Sequence, residues 1–294
     1  MRAWFSYHGG HSGQFCRHAR GRLEALVEMA CARGFTQYGL SEHGPRWRPE
    51  DLFPGEEDLG VEGVIREFSD YAREADALAQ RWEGRLELLV GFETEVLPPD
   101  TWAEDMAQVR QQMPRCDYVV GSAHHIAGFC IDFDAEQHRL AAEAVGGEIA
   151  LQVAYFDQLA EVATALRPQV LGHFDLVRKF DPKPHFQSSV WPAIRRALEA
   201  ALEADCLLDL NAGAFRRGLG PVYPSHEILA LARRMGLRVT LGDDAHAPAD
   251  VGVGLDASVS AAAAAGYREI HRLVRRDGAT VAEAVPIEAV GSAA

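Results

Sequence analysis

The chain has 294 residues, 48% of them hydrophobic, and a formal net charge of -14 at pH 7. Its length and apolar content suffice for a full core in one large α/β domain or two smaller ones, and its negative charge argues against a nucleic-acid polymer as partner, because that partner requires a basic face. Five cysteines without CxxC spacing, and the lack of any apolar stretch long enough for a signal peptide or a membrane span, predict a cytoplasmic protein without membrane contact.

Helical and strand patterns alternate along the first half of the chain. Leu23, Leu26, Val27 and Ala30 recur at helical spacing, and Gly34 follows as a helix-terminating glycine. The predicted elements are a strand near 3–7, a helix over 22–33, a strand over 36–40, a proline-rich acidic loop over 44–60, a helix over 61–83, a strand over 86–90, a helix over 102–113 and a strand over 118–120.

The second half continues the same alternation. It predicts helical structure over 136–166 in two pieces around Gly146 and Gly147, a strand over 170–171, a helix over 190–204, a strand over 207–210, a helix over 225–235 with Ser225 as N-cap, and a strand over 237–241. About seven alternations of strand and helix indicate a parallel sheet built from βαβ units. Since no linker interrupts them, we predict a single α/β domain over 1–294, with a core over about 3–275 and a C-terminal tail over about 276–294. A closed barrel suits the strand count better than an open sheet, which stays an alternative.

Three histidines follow the first predicted strand within eleven residues. His8, His11 and His18 lie in a segment that Gly9, Gly10 and Gly13 mark as a loop, so their rings are free to converge. Imidazole is the commonest side-chain ligand of transition metals. The alternative is a polar surface loop with incidental histidines.

Polar residues also stand just past the ends of the later strands. In a βα barrel these ends share one face, which carries the active site. The residues expected to converge there with the opening histidines are His43, Glu93, His124, His173, Asp244 and His246. His125 is expected to point away from His124 and at most to support the site or face the substrate, and three histidines that follow no strand are expected to be structural, namely His138, His185 and His226.

Mixed histidine and carboxylate ligands suit zinc, iron or manganese. Their number exceeds the four ligands of one tetrahedral ion, so we predict a cluster of two or three divalent ions. A carboxylate such as Glu93 can bridge two ions, and such clusters activate water for displacement at phosphorus. The chain has no HExxH, no G-x-S-x-G and no glycine-rich phosphate loop.

Seven stretches of the chain resemble a known family. They are YHGGHSGQFCRHARGRLEALVEMACARGF, LSEHGP, GFETEV, GSAHH, LGHFDLVRKF, LNAGAFRRGLGPVYPS and GDDAH. Together they cover the chain from about Ser6 to Gly252 and resemble the PHP-domain phosphoesterases, within them the monofunctional histidinol-phosphate phosphatases. The resemblance implies a distorted (β/α)7 TIM-like barrel with a trinuclear metal centre.

By position, the resemblance implies three ion sites. The first takes His8, His11, Glu93 and Asp244, the second shares Glu93 and adds His124 and His173, and the third takes His18, His43 and His246. Glu93, Asp244 and His246 are also expected to act in catalysis. The family usually opens with His-x-His and a third histidine six residues on, whereas here two further residues separate the first and third histidines. We expect Gly9 and Gly10 to absorb them as a small bulge.

Arginines in loops after strands are candidates to bind phosphate, because the guanidinium donates two parallel hydrogen bonds. Arg178 and Arg216 are the favoured residues, and Arg217 is a further candidate whose alternative is a solvated surface charge.

The predicted function is metal-dependent hydrolysis of a small phosphate monoester, L-histidinol phosphate, with three divalent ions per chain that are zinc, manganese or iron. The alternatives are a PHP phosphoesterase acting on a nucleotide or an oligonucleotide end, a non-catalytic metal-binding or regulatory module, and a mononuclear or binuclear amidohydrolase. The last is disfavoured because no lysine follows a central strand where a bridging carbamate would lie. The sequence leaves the oligomeric state open.

Overall fold

The computed structural model describes residues 3–180 and 185–291. In chain order its strands are β1 (Trp4–Ser6), β2 (Phe35–His43), β3 (Glu87–Glu93), β4 (Tyr118–Gly121), β5 (His125–Ile126), β6 (Phe129–Cys130), β7 (Val170–Leu171), β8 (Leu207–Asn211), β9 (Arg238–Gly242), β10 (Glu269–Arg276) and β11 (Ala279–Pro286). Its α-helices are α1 (Leu23–Ala32), α2 (Gly60–Arg81), α3 (Trp102–Gln112), α4 (Ala135–Val145), α5 (Glu148–Leu166), α6 (Trp191–Glu203), α7 (Gly213–Arg216), α8 (His226–Met235) and α9 (Leu255–Ala264).

Seven parallel strands form the main sheet, in the order β1-β2-β3-β4-β7-β8-β9. The two outer strands approach each other: Tyr7 N donates to Leu241 O at 2.9 Å, and Asp244 N donates to His8 O at 2.6 Å. The sheet is therefore a nearly closed barrel, which confirms the predicted α/β barrel. The ends of β1 and β9 meet at this seam, so the histidines after β1 lie beside Asp244.

Most predicted elements agree with the structure, and the strands β2, β3 and β8 extend further toward the site than their apolar runs suggested. The predicted break at Gly146 is present, because Gly146 ends α4 with a positive φ of 98°. Ser225 precedes α8 but makes no side-chain cap bond. Its backbone N donates instead to Asp175 Oδ2 at 2.8 Å, so this residue ties the start of α8 to the loop after β7.

The barrel interior below the site is filled by aromatic rings. Tyr7, Tyr38 and Tyr118 are fully buried. A Cβ added to Gly91 would lie 2.4 Å from the backbone O of Tyr118, and one added to Gly39 would lie 2.4 Å from the Tyr118 hydroxyl. Glycine on the neighbouring strands thus leaves room for the Tyr118 ring, in the alternation of large and small residues that fills small barrels.

A C-terminal hairpin of β10 and β11 packs against this end of the barrel. Leu273 N donates to the Tyr7 hydroxyl at 2.9 Å, and Gln37 Nε2 donates to Leu273 O at 2.7 Å. Ile270, His271 and Leu273 of β10 are buried, whereas Arg272, Arg275 and Arg276 are exposed. The range expected to be a tail therefore contains a paired strand, β11, and residues 292–294 lie outside the described residues.

Among residues 3–180 and 185–291, none of the helices combines the length and the apolar character that crossing a membrane requires.

Candidate metal centre

The nine residues predicted as metal ligands come together at the C-terminal end of the barrel strands. His8, His11 and His18 follow β1, while the others end or follow later strands, namely His43, Glu93, His124, His173, Asp244 and His246. His8 and His11 are fully buried, whereas His18 is exposed at its outer edge. This arrangement follows from the parallel order of the sheet, which brings every carboxyl end to one face.

Glu93 occupies the middle of the cluster. Its Oε1 lies 3.0 Å from Nε2 of His8 and 3.0 Å from Nε2 of His173, and 3.2 Å from Nε2 of His124. Its Oε2 lies 3.3 Å from Nδ1 of His43 and 3.7 Å from Nε2 of His11. Each carboxylate oxygen thus faces a different group of imidazoles, which is the arrangement a bridging carboxylate needs.

The remaining histidines stack on the outer side of the cluster. The ring of His11 stacks on that of His246, with centroids 4.3 Å apart, and on that of His43, 4.6 Å apart. The ring of His18 lies 5.2 Å from His43 and 5.0 Å from His246. Asp244 Oδ1 is 4.0 Å from His11 Nε2 and 3.5 Å from His246 Nδ1.

Three buried carboxylates hold the rings from behind, and sequence reasoning did not assign them a role. Asp209 Oδ2 lies 2.6 Å from His8 Nδ1, Glu42 Oε1 lies 3.2 Å from His11 Nδ1, and Glu95 Oε2 lies 3.2 Å from His124 Nδ1. Such partners fix the tautomer and orientation of a ligating ring. The sequence carried two signals for these carboxylates. Asp209 is an acidic residue inside an apolar strand, and Glu42 and Glu95 lie one or two positions from a predicted ligand.

The two glycines that we expect to absorb the longer spacing, Gly9 and Gly10, both have positive φ. Gly9 has φ 150° and Gly10 has φ 79°. A Cβ on Gly9 would lie 2.3 Å from Asp243 Oδ1, and one on Gly10 would lie 2.9 Å from Leu40 Cδ2. With these glycines in place, His8 and His11 both face Glu93.

The charges of the cluster oppose the effect of burial. Burial alone would raise the pKa of Glu93, but His8, His124 and His43 hold it well below its ordinary value. Burial alone would lower the pKa of His8, but Glu93 and Asp209 raise it well above its ordinary value. The pKa of His124 is likewise raised against burial, by Glu95 and Glu93. Without a bound cation, Glu93 is therefore ionised and His8 and His124 favour the protonated form, whereas burial lowers the pKa of His173 and His246.

Several ring nitrogens have no hydrogen-bond partner within the described chain. These are Nε2 of His11, Nε2 of His43 and Nδ1 of His173. An unpaired polar atom in a buried site costs free energy, on the order of 1–3 kcal/mol. One ligand atom each from His8, His11 and Glu93, and likewise from His43, Glu93 and His124, lies within 4.8 Å of the other two. Divalent cations fit this donor set and would satisfy the unpaired nitrogens.

A cavity of about 350 Å³ lies over the cluster. Glu93, His124, His173, Asp244 and His246 are in its wall, together with three cationic side chains, Lys179, Arg216 and Arg217. The volume is at the small end of the range for small-molecule sites. The centre therefore faces a compact, cation-lined space.

The three predicted arginines differ in how many contacts they already make. Arg216 donates to the backbone carbonyls of Asp243 and Asp244, so it holds the loop that carries a predicted ligand. Among the described residues, Arg217 reaches one acceptor, Asp244 Oδ2, at 3.6 Å, and its side chain is 31% exposed. Arg217 consequently has the most donors free toward the cavity.

Arg178 is placed differently from the expectation. Its Nε lies 2.8 Å from Asp175 Oδ2, and its terminal nitrogens donate to Leu219 O and Val222 O. Its guanidinium also lies over the Tyr223 ring. These contacts tie the loop after β8 to the loop after β7, and Arg178 is not among the described residues that line the cavity. Lys179, which sequence reasoning did not single out, lines it instead.

Besides Glu93 and Asp244 of the cluster, two further acidic side chains line the cavity, Asp132 and Asp250. Asp132 accepts from Lys179 Nζ at 3.4 Å through its side chain. The acids of the loop over 44–60 are mostly paired within the protein, Glu56 with Arg46 and Asp51 with Arg48. That loop contributes its Phe53 ring to the cavity wall.

The other histidines stand apart from the predicted ligands. His125 is buried, with its ring stacked on Phe53 at 5.3 Å and its Nδ1 3.7 Å from Glu95. His138 lies against Ile131 O. His185 pairs with a surface carboxylate of α8.

Comparison with known proteins agrees with this geometry. The sequence profile of the PHP domain matches residues 8–213. A probable histidinol-phosphatase of Schizosaccharomyces pombe is 36% identical over 249 residues, which are 83% of this chain and 81% of the relative. The histidinol-phosphatase of Saccharomyces cerevisiae is 27% identical, over 85% of each chain.

Solved structures with the same fold include a putative histidinol phosphatase from Listeria monocytogenes, with a TM-score of 0.74 and 24% identity over 86% of this chain and 99% of that one. Another is a histidinol phosphate phosphatase from Lactococcus lactis complexed with zinc, L-histidinol and phosphate, with a TM-score of 0.70 and 18% identity over 91% of this chain and 95% of that one. The predicted family is thereby confirmed: the chain belongs to the PHP-domain superfamily and, within it, to the histidinol-phosphatase family.

Proposed function

We propose that this protein is a metal-dependent phosphomonoesterase that hydrolyses L-histidinol phosphate to L-histidinol and phosphate. The observation that carries the proposal is a buried cluster of histidines around Glu93 beneath a small cation-lined cavity. The relatives named histidinol-phosphatase support the choice of substrate.

The proposed metal ligands are the nine predicted residues, with Glu93 shared between ions and Asp244 and His246 at the edge of the cavity. We propose three ions per chain, of zinc, manganese or iron, because nine ligands exceed the needs of one or two tetrahedral ions. When bound, such ions act as Lewis acids and lower the pKa of a coordinated water. Glu93, Asp244 and His246 are the residues proposed to act directly in catalysis.

The chain's own cations are proposed to bind and orient the phosphoryl group. Arg217 has free donors toward the cavity, and Lys179 lines the same wall. Guanidinium and ammonium groups stabilise charge that develops on phosphoryl oxygens. Arg216 and Arg178 would act through the loops that they hold, with Arg216 close enough to the cavity to contact phosphate as well.

The other end of the substrate is a cationic amine with an imidazole. Asp132 and Asp250 are the acidic groups of the cavity outside the metal cluster and are proposed to attract it, with Phe133 and Leu176 as apolar wall. Burial would raise the pKa of Asp132, but Lys179 and His124 lower it, so this carboxylate stays ionised at neutral pH. The acidic loop is a weaker candidate because its carboxylates are largely paired.

We also propose a reducing, cytoplasmic compartment without nucleic-acid or membrane partners. All five cysteines are free, which supports a protein that does not depend on disulfides.

The test is steady-state kinetics on histidinol phosphate, a simple alkyl phosphate and a nucleoside monophosphate, with metal analysis of the same sample. We expect two to three divalent ions per chain, loss of activity after chelation and the highest kcat/KM for histidinol phosphate. A preference for the nucleotide would overturn the substrate but not the phosphatase, whereas full activity without metal would overturn the mechanism.

A further inference from the structure

Cys16 lies beside two of the proposed metal ligands, His18 and His43. One ligand atom each from Cys16, His18 and His43 lies within 4.8 Å of the other two. The Cys16 side chain is buried, at 5% exposure. We call these three residues the outer site.

The local backbone brings the thiol and the ring of His18 together. Cys16 N donates to Ser12 O at 2.9 Å, and Ala19 N donates to Cys16 O at 3.2 Å, so the chain turns twice within eight residues. Both side chains consequently face the cluster. This turn lies in the same segment that is longer than the usual family opening.

The contact between thiol and imidazole is not an ordinary hydrogen bond. Cys16 Sγ lies 3.4 Å from Nδ1 and 3.3 Å from Nε2 of His18. A thiol that donates to one ring nitrogen would be much nearer to that nitrogen than to the other. The nearly equal distances show that the sulfur lies beside the ring and is not directed at the lone pair of one particular ring nitrogen.

His43 contributes an independent sign of a missing ligand. Its side chain is 9% exposed, its Nδ1 contacts Glu95 at 3.2 Å, and its Nε2 has no hydrogen-bond partner in the described chain. Phe53 packs edge-on against both His18 and His43, with centroids 5.9 and 5.6 Å away, and covers the outer site with an apolar ring. A buried, unpaired imidazole nitrogen near a buried thiol and a second imidazole is a donor set for a cation.

We propose that Cys16 is a further ligand, as a thiolate, of the ion held by His18 and His43. The inference rests on the proposed metal centre. On binding, the S–H bond breaks, its proton leaves to solvent, and the sulfur lone pair is donated to the metal, with no change of oxidation state. With His246, which is also assigned to this ion, the ligand set is one sulfur and three nitrogens, and it favours zinc over manganese because thiolate is a soft ligand. The outer ion of this chain would therefore be zinc-selective.

The test uses metal-free full-length protein titrated with Co²⁺, whose thiolate complexes absorb by charge transfer in the near ultraviolet. The variant is Cys16→Ser, and the matched control is Cys206→Ser, since Cys206 is also buried but precedes β8 at the opposite end of the barrel. Cys130→Ser is a second control because Cys130 lines the cavity. We expect the band in the wild type and in both controls and its loss in Cys16→Ser, with one ion bound at least about tenfold more weakly.

X-ray absorption of the zinc-loaded wild type decides the question even if Cys16→Ser fails to fold. A sulfur neighbour at about 2.3 Å supports the inference, and a shell of nitrogen and oxygen alone overturns it. The band surviving in Cys16→Ser would also overturn it while leaving the phosphatase proposal intact. A wild type that binds neither Co²⁺ nor Zn²⁺ would overturn both this inference and the metal centre beneath it.

Discussion

Asp209 Oδ2 lies 2.6 Å from Nδ1 of His8, while the other ring nitrogen of His8 lies 3.0 Å from Glu93. The carboxylate on β8 thus orients an imidazole that comes from the first loop of the chain, and it also accepts from Asn211 Nδ2 at 2.8 Å. A ring held in this way presents Nε2 to the centre of the cluster.

Asp209→Asn should weaken metal binding by roughly ten- to a hundredfold, the range found when such orienting partners are removed. Metal content after dialysis against a graded chelator series measures the effect. Asp205→Asn is the matched control, since Asp205 is exposed two residues before the same strand and pairs with Arg238. Equal metal content in the two variants would contradict an orienting role for Asp209.

Glu93→Gln should lower kcat/KM more than replacement of any single histidine of the cluster, by more than about a hundredfold. The reason is that the two carboxylate oxygens face different groups of imidazoles, and an amide cannot replace both. Glu87→Gln, near the start of β3 and about half exposed, is the control. Near-normal turnover of Glu93→Gln would remove this residue from the centre.

Gly10→Ala should destabilise the protein and loosen His11. The φ of 79° costs an alanine about 1–2 kcal/mol, and its Cβ would also lie 3.2 Å from Leu40 Cα. Gly34→Ala is a close control, because Gly34 has φ 77° and a Cβ there meets nothing within 4 Å. We expect both variants to lose stability in chemical unfolding and only Gly10→Ala to lose metal affinity; equal metal affinity would show that the bulge does not position His11.

The positions of the strand-end ligands were predictable because the alternation of helix and strand implies a parallel sheet. Parallel strands carry their carboxyl ends to one face, whatever the details of packing. His43, Glu93 and His173 could therefore be grouped from sequence, although they are far apart in the chain.

Asp209 was not predictable in the same way. A carboxylate inside an apolar strand can form an ion pair at the sheet edge or hold another side chain inside the barrel. Which of the two it does depends on the residue that lies opposite it. Here that residue is His8, about two hundred positions away.

The arginines show that the direction of a side chain in a loop could not be predicted from the sequence either. Arg178 and Arg217 both follow strands in sequence, but Asp175 and two backbone carbonyls hold Arg178 away from the cavity. The direction of a long side chain in a loop is decided by such partners, which the local sequence does not reveal. The C-terminal hairpin was missed because buried and exposed residues do not alternate cleanly along its strands.

Metal binding should strengthen as pH rises through the neutral range. The pKa values of His8 and His124 are raised above the ordinary value of about 6.5 by Glu93, Asp209 and Glu95, against the effect of burial. These rings hold protons in the metal-free protein at neutral pH, and a cation must displace them. Lower pH increases this competition and higher pH removes it.

Calorimetric titration of metal-free protein with Zn²⁺, in buffers of different ionisation enthalpy, counts the displaced protons. We expect release of more than one proton per chain near neutral pH, with the number falling as pH rises. Glu93 contributes none, because its pKa is held well below its ordinary value. Binding without proton release would contradict the protonated state of these histidines.

Arg217→Ala should lower kcat/KM by roughly one to three orders of magnitude, the loss expected when a charge-assisted contact of about 2–4 kcal/mol is removed from the transition state. Its guanidinium has free donors beside Asp244, at the cavity wall. The loss should be similar for every phosphate monoester, because the contact is to the shared group. The preference for histidinol phosphate should survive, since it is proposed to depend on Asp132 and Asp250 and not on Arg217.

The comparison variant is Arg178→Ala, measured for both melting temperature and kinetics on histidinol phosphate and an alkyl phosphate. Arg178 ties two loops together, so its removal should lower the melting temperature, whereas Arg217→Ala should leave it nearly unchanged because Arg217 is 31% exposed and makes one side-chain contact. Asp132→Asn should reverse the pattern of Arg217→Ala, reducing the preference for histidinol phosphate more than the rate on the alkyl ester. If Arg217→Ala leaves both rates unchanged, the phosphate is held by metal ions, Lys179 and Arg216, and Arg217 is a surface charge.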